Sequence, residues 1–143
     1  MSQENVELWR ENIEDSLRPG TSEFDPEAAI SKMAEPWDPE IELDVSAFEG
    51  PDIGGVYRGK EAVRRFWREW FAAWETLQFE YELVDAGDRV VMLLDLRMRG
   101  RSTGIPVSFG KHAWVNTFRD GLIVHSKLYI SQSKALEAAG LGE

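Results

Sequence analysis

Residues 60–74 read KEAVRRFWREWFAAW, and the rest of the chain can be placed around them. Apolar side chains recur in this stretch every three or four positions, the spacing of one wide buried face of an α-helix. That face consists of Val63, Phe66, Trp67, Trp70, Phe71 and Trp74. The opposite side carries Arg64, Arg65, Arg68 and Glu69. The pattern predicts a long helix over residues 60–74 whose aromatic face packs against a core.

Two shorter helices and one strand are predicted before this helix. Residues 2–17 place four apolar side chains on one stripe: Val6, Trp9, Ile13 and Leu17. Asp25-Pro26-Glu27 is typical of a helix start, with an N-cap and a proline at the first helical position. Ile41, Leu43 and Val45 then alternate with polar residues, as in a half-buried strand. A glycine-rich connection over residues 50–59 leads into the long helix.

Strand signals dominate after the long helix. Alternation from Gln78, a turn at Ala86-Gly87-Asp88 and an apolar run over residues 89–99 predict a β-hairpin. Residues 107–118 and 122–130 predict a second hairpin. A short helix over residues 135–139 should follow, ended by Gly140 at the position after the C-cap.

The turn of the last hairpin determines which side chains share a face. A two-residue loop at Asp120-Gly121 would turn His125 and Lys127 toward Trp114, whereas a three-residue loop with Gly121 left-handed turns them away. We predict the three-residue loop, because it collects most of the apolar side chains on one face. That face would carry His112, Trp114, Asn116, Phe118, Val124, Ser126, Leu128 and Ile130.

Composition limits the classes of function. The length of 143 residues suits a single domain over residues 1–143. A net charge of −10 disfavours nucleic acid and anionic membrane surfaces as partners. No apolar stretch approaches ~20 residues and no secretory leader is evident, so we expect a cytoplasmic location and no membrane association. There is no cysteine and no metal-binding spacing of histidines and carboxylates, so neither a metal nor a cofactor is expected.

Four local motifs together resemble the SnoaL-like branch of the nuclear transport factor 2-like superfamily. They are Tyr57-Arg58-Gly59-Lys60-Glu61-Ala62-Val63-Arg64-Arg65-Phe66-Trp67, Arg99-Gly100-Arg101-Ser102-Thr103-Gly104, Phe118-Arg119-Asp120-Gly121 and Ala135-Leu136-Glu137-Ala138-Ala139-Gly140-Leu141. The resemblance implies an α+β fold in which a curved antiparallel sheet wraps around the long helix as a cone with an internal pocket. It also implies a homodimer. Members of the superfamily include ketosteroid isomerase, the polyketide cyclase SnoaL, dehydratases and epoxide hydrolases.

Ketosteroid isomerase offers a comparison of individual residues. The resemblance matches its general-base aspartate to Asp44, but it matches the oxyanion tyrosine to Ile13 and the protonated aspartic acid to Trp114. Losing one oxyanion donor can cost ~10²–10³ in rate. Steroid isomerisation is therefore disfavoured.

Two residues are candidates for acid–base catalysis. A carboxylate in an apolar pocket gains proton affinity, which would suit Asp44 as a base, although its alternation with Glu42 and Ser46 equally allows it to face water. His112 is predicted to face inward and imidazole titrates near neutrality, but a histidine bonded to the backbone would have the same sequence signature. We expect Asp44 and His112 to share one pocket.

The resemblance also places the long helix at the border of the pocket. The expected ligand-binding residues are Tyr57, Phe66, Trp67, Trp70, Phe71, Trp114, Asn116 and Ser126. Two functions remain open at this point. One is a cofactor-independent isomerase, cyclase, dehydratase, lyase or hydrolase that acts on a small, largely apolar molecule. The other is a homodimeric module that binds such a molecule without chemistry.

Overall fold

A computed structural model describes residues 2–16, 25–47, 55–100 and 103–141. The described residues form four helices and one six-stranded sheet, which confirms the predicted α+β class. The helices are α1 (Ser2–Ser16), α2 (Pro26–Met33), α3 (Lys60–Ala72) and α4 (Gln132–Ala138). The strands are β1 (Trp37–Asp44), β2 (Val56–Arg58), β3 (Trp74–Ala86), β4 (Arg89–Gly100), β5 (Pro106–Arg119) and β6 (Leu122–Tyr129).

The first two helices form where the sequence pattern predicts them. Val6, Trp9 and Ile13 are buried on one side of α1, while Leu17 lies outside the described residues. Asp25 caps α2, because its side chain accepts a hydrogen bond from the backbone N–H of Glu27 at 3.1 Å. The cap satisfies a backbone donor that has no partner within the helix.

The aromatic helix is shorter than its pattern suggests. α3 ends at Ala72, and Trp74 begins β3, where it pairs with Gly100 of β4. A tryptophan at this position continues the helical spacing and also suits a strand, so periodicity does not place the boundary. The pairing of Trp74 with β4 sets the boundary instead, since tertiary contacts override local preference.

The six strands lie in the order β2-β1-β6-β5-β4-β3. β1 runs parallel to β6 and the other neighbours are antiparallel, so the expectation of a fully antiparallel sheet is wrong at this one pair. β2 lies within the predicted glycine-rich connection and pairs with β1 as an edge strand. Residues 50–54 of that connection lie outside the described part of the chain.

The turn between β5 and β6 corrects the predicted loop. Arg119 pairs with Leu122, so the loop has two residues, Asp120 and Gly121, both left-handed with φ of 54° and 79°. The predicted faces nevertheless hold for most of β6, because a bulge follows the turn. Thr117 pairs with His125 and Phe118 with Ile123, which leaves Val124 as the extra residue.

The bulge moves every later residue of β6 to the opposite face. Ser126 and Leu128 consequently share the face of Asn116 and Trp114, as predicted, and His125 and Lys127 lie on the other face. Ile123 takes the inward position predicted for Val124. Ile130 lies beyond the end of β6 and is 55% exposed, so its predicted burial is wrong.

Both faces of the sheet are covered. The inner face, which carries Met92, Leu94 and Leu96, forms one buried cluster with residues of α1, α2 and α3. The outer face forms a second cluster in which Val91, Ala113 and Val115 pack against Ala135 and Ala139 of the C-terminal segment. Gly140 follows α4 with φ of 85°, the left-handed conformation predicted for it. No helix in the described residues is both long and apolar enough to cross a bilayer.

Candidate functional site

The inner face of the sheet and the first three helices line a partly open cavity of about 120 Å³. Most of its wall is apolar. The polar side chains among the described lining residues are Asn12, His112, Asn116 and Ser126. The apolar lining comprises Trp9, Ile13, Met33, Trp37, Ile41, Leu43, Val63, Phe66, Trp67, Trp70, Phe71, Leu77, Phe79, Met92, Leu94, Leu96, Trp114, Ile123 and Leu128. A cavity of this composition is typical of a site for a small, largely apolar molecule.

The aromatic side of the cavity is organised around Trp67. Its ring lies 5.6 Å from Phe71 at an angle of 29°, and 5.7 Å from Trp70 at 83°. Its ring also contacts that of Trp114 on β5, with the two ring centroids 5.5 Å apart. Trp67, Trp70 and Trp114 are half-buried, so part of each indole surface remains accessible to a ligand. Phe66 lines the cavity as well, and it is buried.

His112 is the only titratable side chain among the described lining residues. It is 3% exposed, and its Nδ1 lies 3.1 Å from the carbonyl oxygen of Gly110. Because a carbonyl only accepts, Nδ1 carries the proton in the neutral ring and Nε2 is the basic nitrogen. Burial lowers the pKa of His112, while the Gly110 carbonyl and the charge of Asp95 oppose that effect. The ring is therefore neutral near pH 7.

The backbone around His112 is held from the outer side of the sheet. Gln132, at the start of α4, donates from Nε2 to the carbonyl oxygen of His112 at 3.1 Å and more weakly to that of Leu94 at 3.4 Å. His112 and Leu94 are cross-strand partners in β5 and β4. The contact ties the C-terminal helix to the strand that carries the imidazole.

Asn116 and Ser126 lie opposite each other on β5 and β6 and both line the cavity. Asn116 is 4% exposed, and its Oδ1 accepts no hydrogen bond from any described residue. Buried polar atoms are bonded in the great majority of cases, so this oxygen is exceptional.

Asp44 does not join His112. Its side chain projects from the outer face of β1, where Oδ1 accepts bonds from the Ser46 backbone N–H at 2.9 Å and hydroxyl at 2.6 Å. Oδ2 lies 3.9 Å from Nζ of Lys127. Burial raises the pKa of Asp44, but the Ser46 bonds and the charges of Lys127 and His125 outweigh burial and hold the pKa below its usual value. The predicted shared pocket, and the raised proton affinity of this carboxylate, are wrong.

Tyr57 is also displaced from its predicted position. It lies on β2, half-buried, with its ring 5.2 Å from that of Phe66, and it is not among the cavity-lining residues. Tyr57 therefore contacts the cavity wall through Phe66. The other seven expected ligand-binding residues all line the cavity, and their binding role stays a prediction: Phe66, Trp67, Trp70, Phe71, Trp114, Asn116 and Ser126.

The sequence reasoning missed the contribution of the first two helices. Trp9, Asn12 and Ile13 of α1 and Met33 of α2 line the cavity. Asn12 is positioned by donating from Nδ2 to the carbonyl oxygen of Lys32 at 2.7 Å. Its place three residues after Trp9 was the available signal, because residues i and i+3 share a helix face.

No group of three or more histidines and carboxylates in the described ranges is arranged to hold a metal ion. The outer-face carboxylates of β1 instead lie beside basic side chains. Glu42 contacts Arg58 at 3.3 Å and His125 at 3.7 Å, beside the Asp44–Lys127 pair. Exposed pairs of this kind contribute little to stability.

Comparison with known families agrees with this architecture. The family model described as "SnoaL-like domain" matches residues 24–126, so the chain belongs to the SnoaL-like family. A comparison with curated proteins finds no match.

Three solved structures illustrate the similarity. A nuclear transport factor 2-like protein of unknown function from Burkholderia pseudomallei shares 18% identity at a TM-score of 0.69, covering 93% of this chain and 95% of that one. TerC, co-crystallised with polyporic acid, shares 15% identity at a TM-score of 0.69, covering 95% of this chain and 98% of that one. A SnoaL-like protein from Mesorhizobium loti shares 22% identity at a TM-score of 0.62, covering 87% of this chain and 97% of that one. At these identities the likeness shows the fold alone.

Proposed function

We propose that this protein binds a small, largely apolar molecule in the inner cavity. The observation that carries the proposal is a space of about 120 Å³ walled mainly by aliphatic and aromatic side chains. An apolar cavity of about 150 Å³ can hold benzene, so the space suits a molecule of about one ring. The co-crystallisation of TerC with polyporic acid gives further support, since TerC has the same fold.

A binding assay with toluene tests the proposal. Toluene should bind to the wild-type protein and change its tryptophan fluorescence, because the cavity wall contains several half-buried indoles. Ser126→Leu fills part of the cavity and should weaken binding. His125→Leu changes the next residue on the outer face and should not. Absence of toluene binding to the wild-type protein up to its solubility limit would contradict the proposal.

Native mass spectrometry of freshly purified protein extends the test to the physiological ligand. A retained molecule should be released by Ser126→Leu and kept by His125→Leu. The same spectra report the homodimer that the family resemblance implies and that we propose here. A mass of 16.3 kDa at micromolar concentration, the mass of one chain, would contradict the dimer.

The enzymatic version of the proposal uses His112 as a single base. What supports it is that His112 lines the cavity and that its Nδ1 bonds the Gly110 carbonyl, so that Nε2 is the nitrogen that would take a proton from a bound molecule and return it. A proton shuttle of this kind is what an isomerase or lyase requires. The Asp44 carboxylate has no part in it, because its partners lie on the outer face.

Proton exchange distinguishes this enzyme from a binding module without chemistry. Cyclohexanone is a one-ring, uncharged probe whose α-hydrogens exchange with D₂O under base catalysis. The wild-type protein should accelerate the exchange, His112→Gln should abolish the acceleration, and His125→Gln should retain it. Bound cyclohexanone that exchanges no faster than free cyclohexanone favours the module without chemistry.

A further inference from the structure

We propose that the cavity selects an uncharged ligand that donates a hydrogen bond, and that Oδ1 of Asn116 is the acceptor that recognises it. The inference rests on the proposed binding function and adds the chemical class of the ligand. An aromatic alcohol such as phenol is the simplest member of that class.

The first step is the state of the Asn116 amide. The residue is 4% exposed on the cavity wall, and Oδ1 accepts no hydrogen bond from the described residues. Leaving a buried acceptor unsatisfied is costly, and proteins rarely retain one without a compensating role. An amide oxygen can only accept. A ligand that satisfies it must therefore bring an O–H or N–H group.

The second step is the charge of the ligand. None of the described lining residues is a lysine, arginine, aspartate or glutamate, and His112 is neutral near pH 7 because of its burial. Burying an ionised group without a counter-charge is far more costly than burying a hydroxyl. These conditions favour a neutral donor over either kind of ion.

The third step is the shape of the ligand. Trp114 precedes Asn116 by two residues on the same face of β5, so their Cα atoms lie about 6.6 Å apart along the strand. The ring of Trp67 lies 5.5 Å from that of Trp114. An aromatic wall beside a single acceptor suits a flat ring with one polar substituent. His112 lies a further two residues along β5, so it would meet the opposite end of a longer ligand.

Phenol and toluene form a matched pair of probes, because a hydroxyl replaces a methyl group on the same ring. Their affinities would be measured by titration for the wild-type protein and for Asn116→Leu, which keeps the branched shape of the side chain and removes the acceptor together with the amide N–H donors. The phenol-to-toluene affinity ratio should fall about three- to tenfold in Asn116→Leu, the scale of one lost hydrogen bond. Thr117→Val is the control, since it removes a polar group from the outer face of the same strand, and it should leave the ratio unchanged.

The outcomes separate the two proposals. A wild-type protein that binds neither probe contradicts the binding function and this inference with it. Toluene binding with the same ratio in the wild-type protein and Asn116→Leu leaves the binding function intact and overturns the inference. Benzoate binding as tightly as phenol also overturns it, because benzoate is charged. If Asn116→Leu does not fold, as judged by near-ultraviolet circular dichroism, Asn116→Ala provides the same comparison.

Discussion

Replacing Asn116 by leucine should stabilise the ligand-free protein, although most substitutions in a protein core do the opposite. Asn116 is 4% exposed and its Oδ1 has no hydrogen-bond donor among the described residues. An unsatisfied buried polar atom costs about 1–3 kcal/mol, and leucine of similar size removes that cost. The side chain borders a cavity, so its altered shape meets open space on one side.

The size of the effect on thermal unfolding follows from the length of the chain. Unfolding entropy is about 2.1 cal/mol/K per residue, or roughly 0.3 kcal/mol/K for 143 residues. A gain of about 1–3 kcal/mol therefore raises Tm by roughly 3–10 °C. Differential scanning calorimetry of the ligand-free protein measures this shift, and Thr117→Val, on the outer face, is the control. A lower Tm for Asn116→Leu would refute the reasoning, because it would mean that the amide is satisfied in the folded state.

Three further predictions concern stability. The pKa of His112 is lower in the folded protein than in the unfolded chain, so the unfolded chain binds more protons and the free energy of unfolding falls as pH drops below about 6.5. Urea unfolding should show a smaller loss of stability at low pH for His112→Gln than for the wild-type protein or His125→Gln. Burial and the bond to Glu14 raise the pKa of Tyr81 to about 12, so stability falls as pH rises from 10 to 12, and Tyr81→Phe should reduce that loss in the same assay. Phe71→Ala removes a ring that is 1% exposed and should cost about 3–5 kcal/mol in urea unfolding, which a loss under 1 kcal/mol would contradict.

The first two helices are the part of the fold that sequence patterns predicted best. Their signals are local: Asp25 is an N-cap whose partner is two residues away, and Val6, Trp9 and Ile13 recur at helical spacing within one segment. The parallel pairing of β1 with β6 was not predictable in this way. It joins residues about 80 positions apart in sequence, as in the pair Glu42 and His125, and no local period carries that information.

The last hairpin shows how two local errors can cancel. The loop has two residues, and such a loop alone would have turned His125 toward the cavity. The bulge at Val124 reverses the faces again, so Ser126 reaches the cavity as predicted from a three-residue loop. The buried face of this part of β6 was predicted correctly because one face must be apolar. The combination of a two-residue loop with a bulge was not predicted, because different loops and bulges can bury the same face.

Asp44 and Asn116 explain why the type of a residue is a weaker guide to the site than its partners are. Asp44 has the more reactive group, yet two bonds from Ser46 and the charge of Lys127 stabilise its ionised form on the outer face. Asn116 has an ordinary amide, yet the residue lines the cavity and its Oδ1 is buried without a donor among the described residues. A group whose interactions are already complete gains little from a ligand, and one that lacks a partner gains a full hydrogen bond. The capacity of the cavity for recognition therefore lies on β5, at a residue that shares its strand face with Trp114.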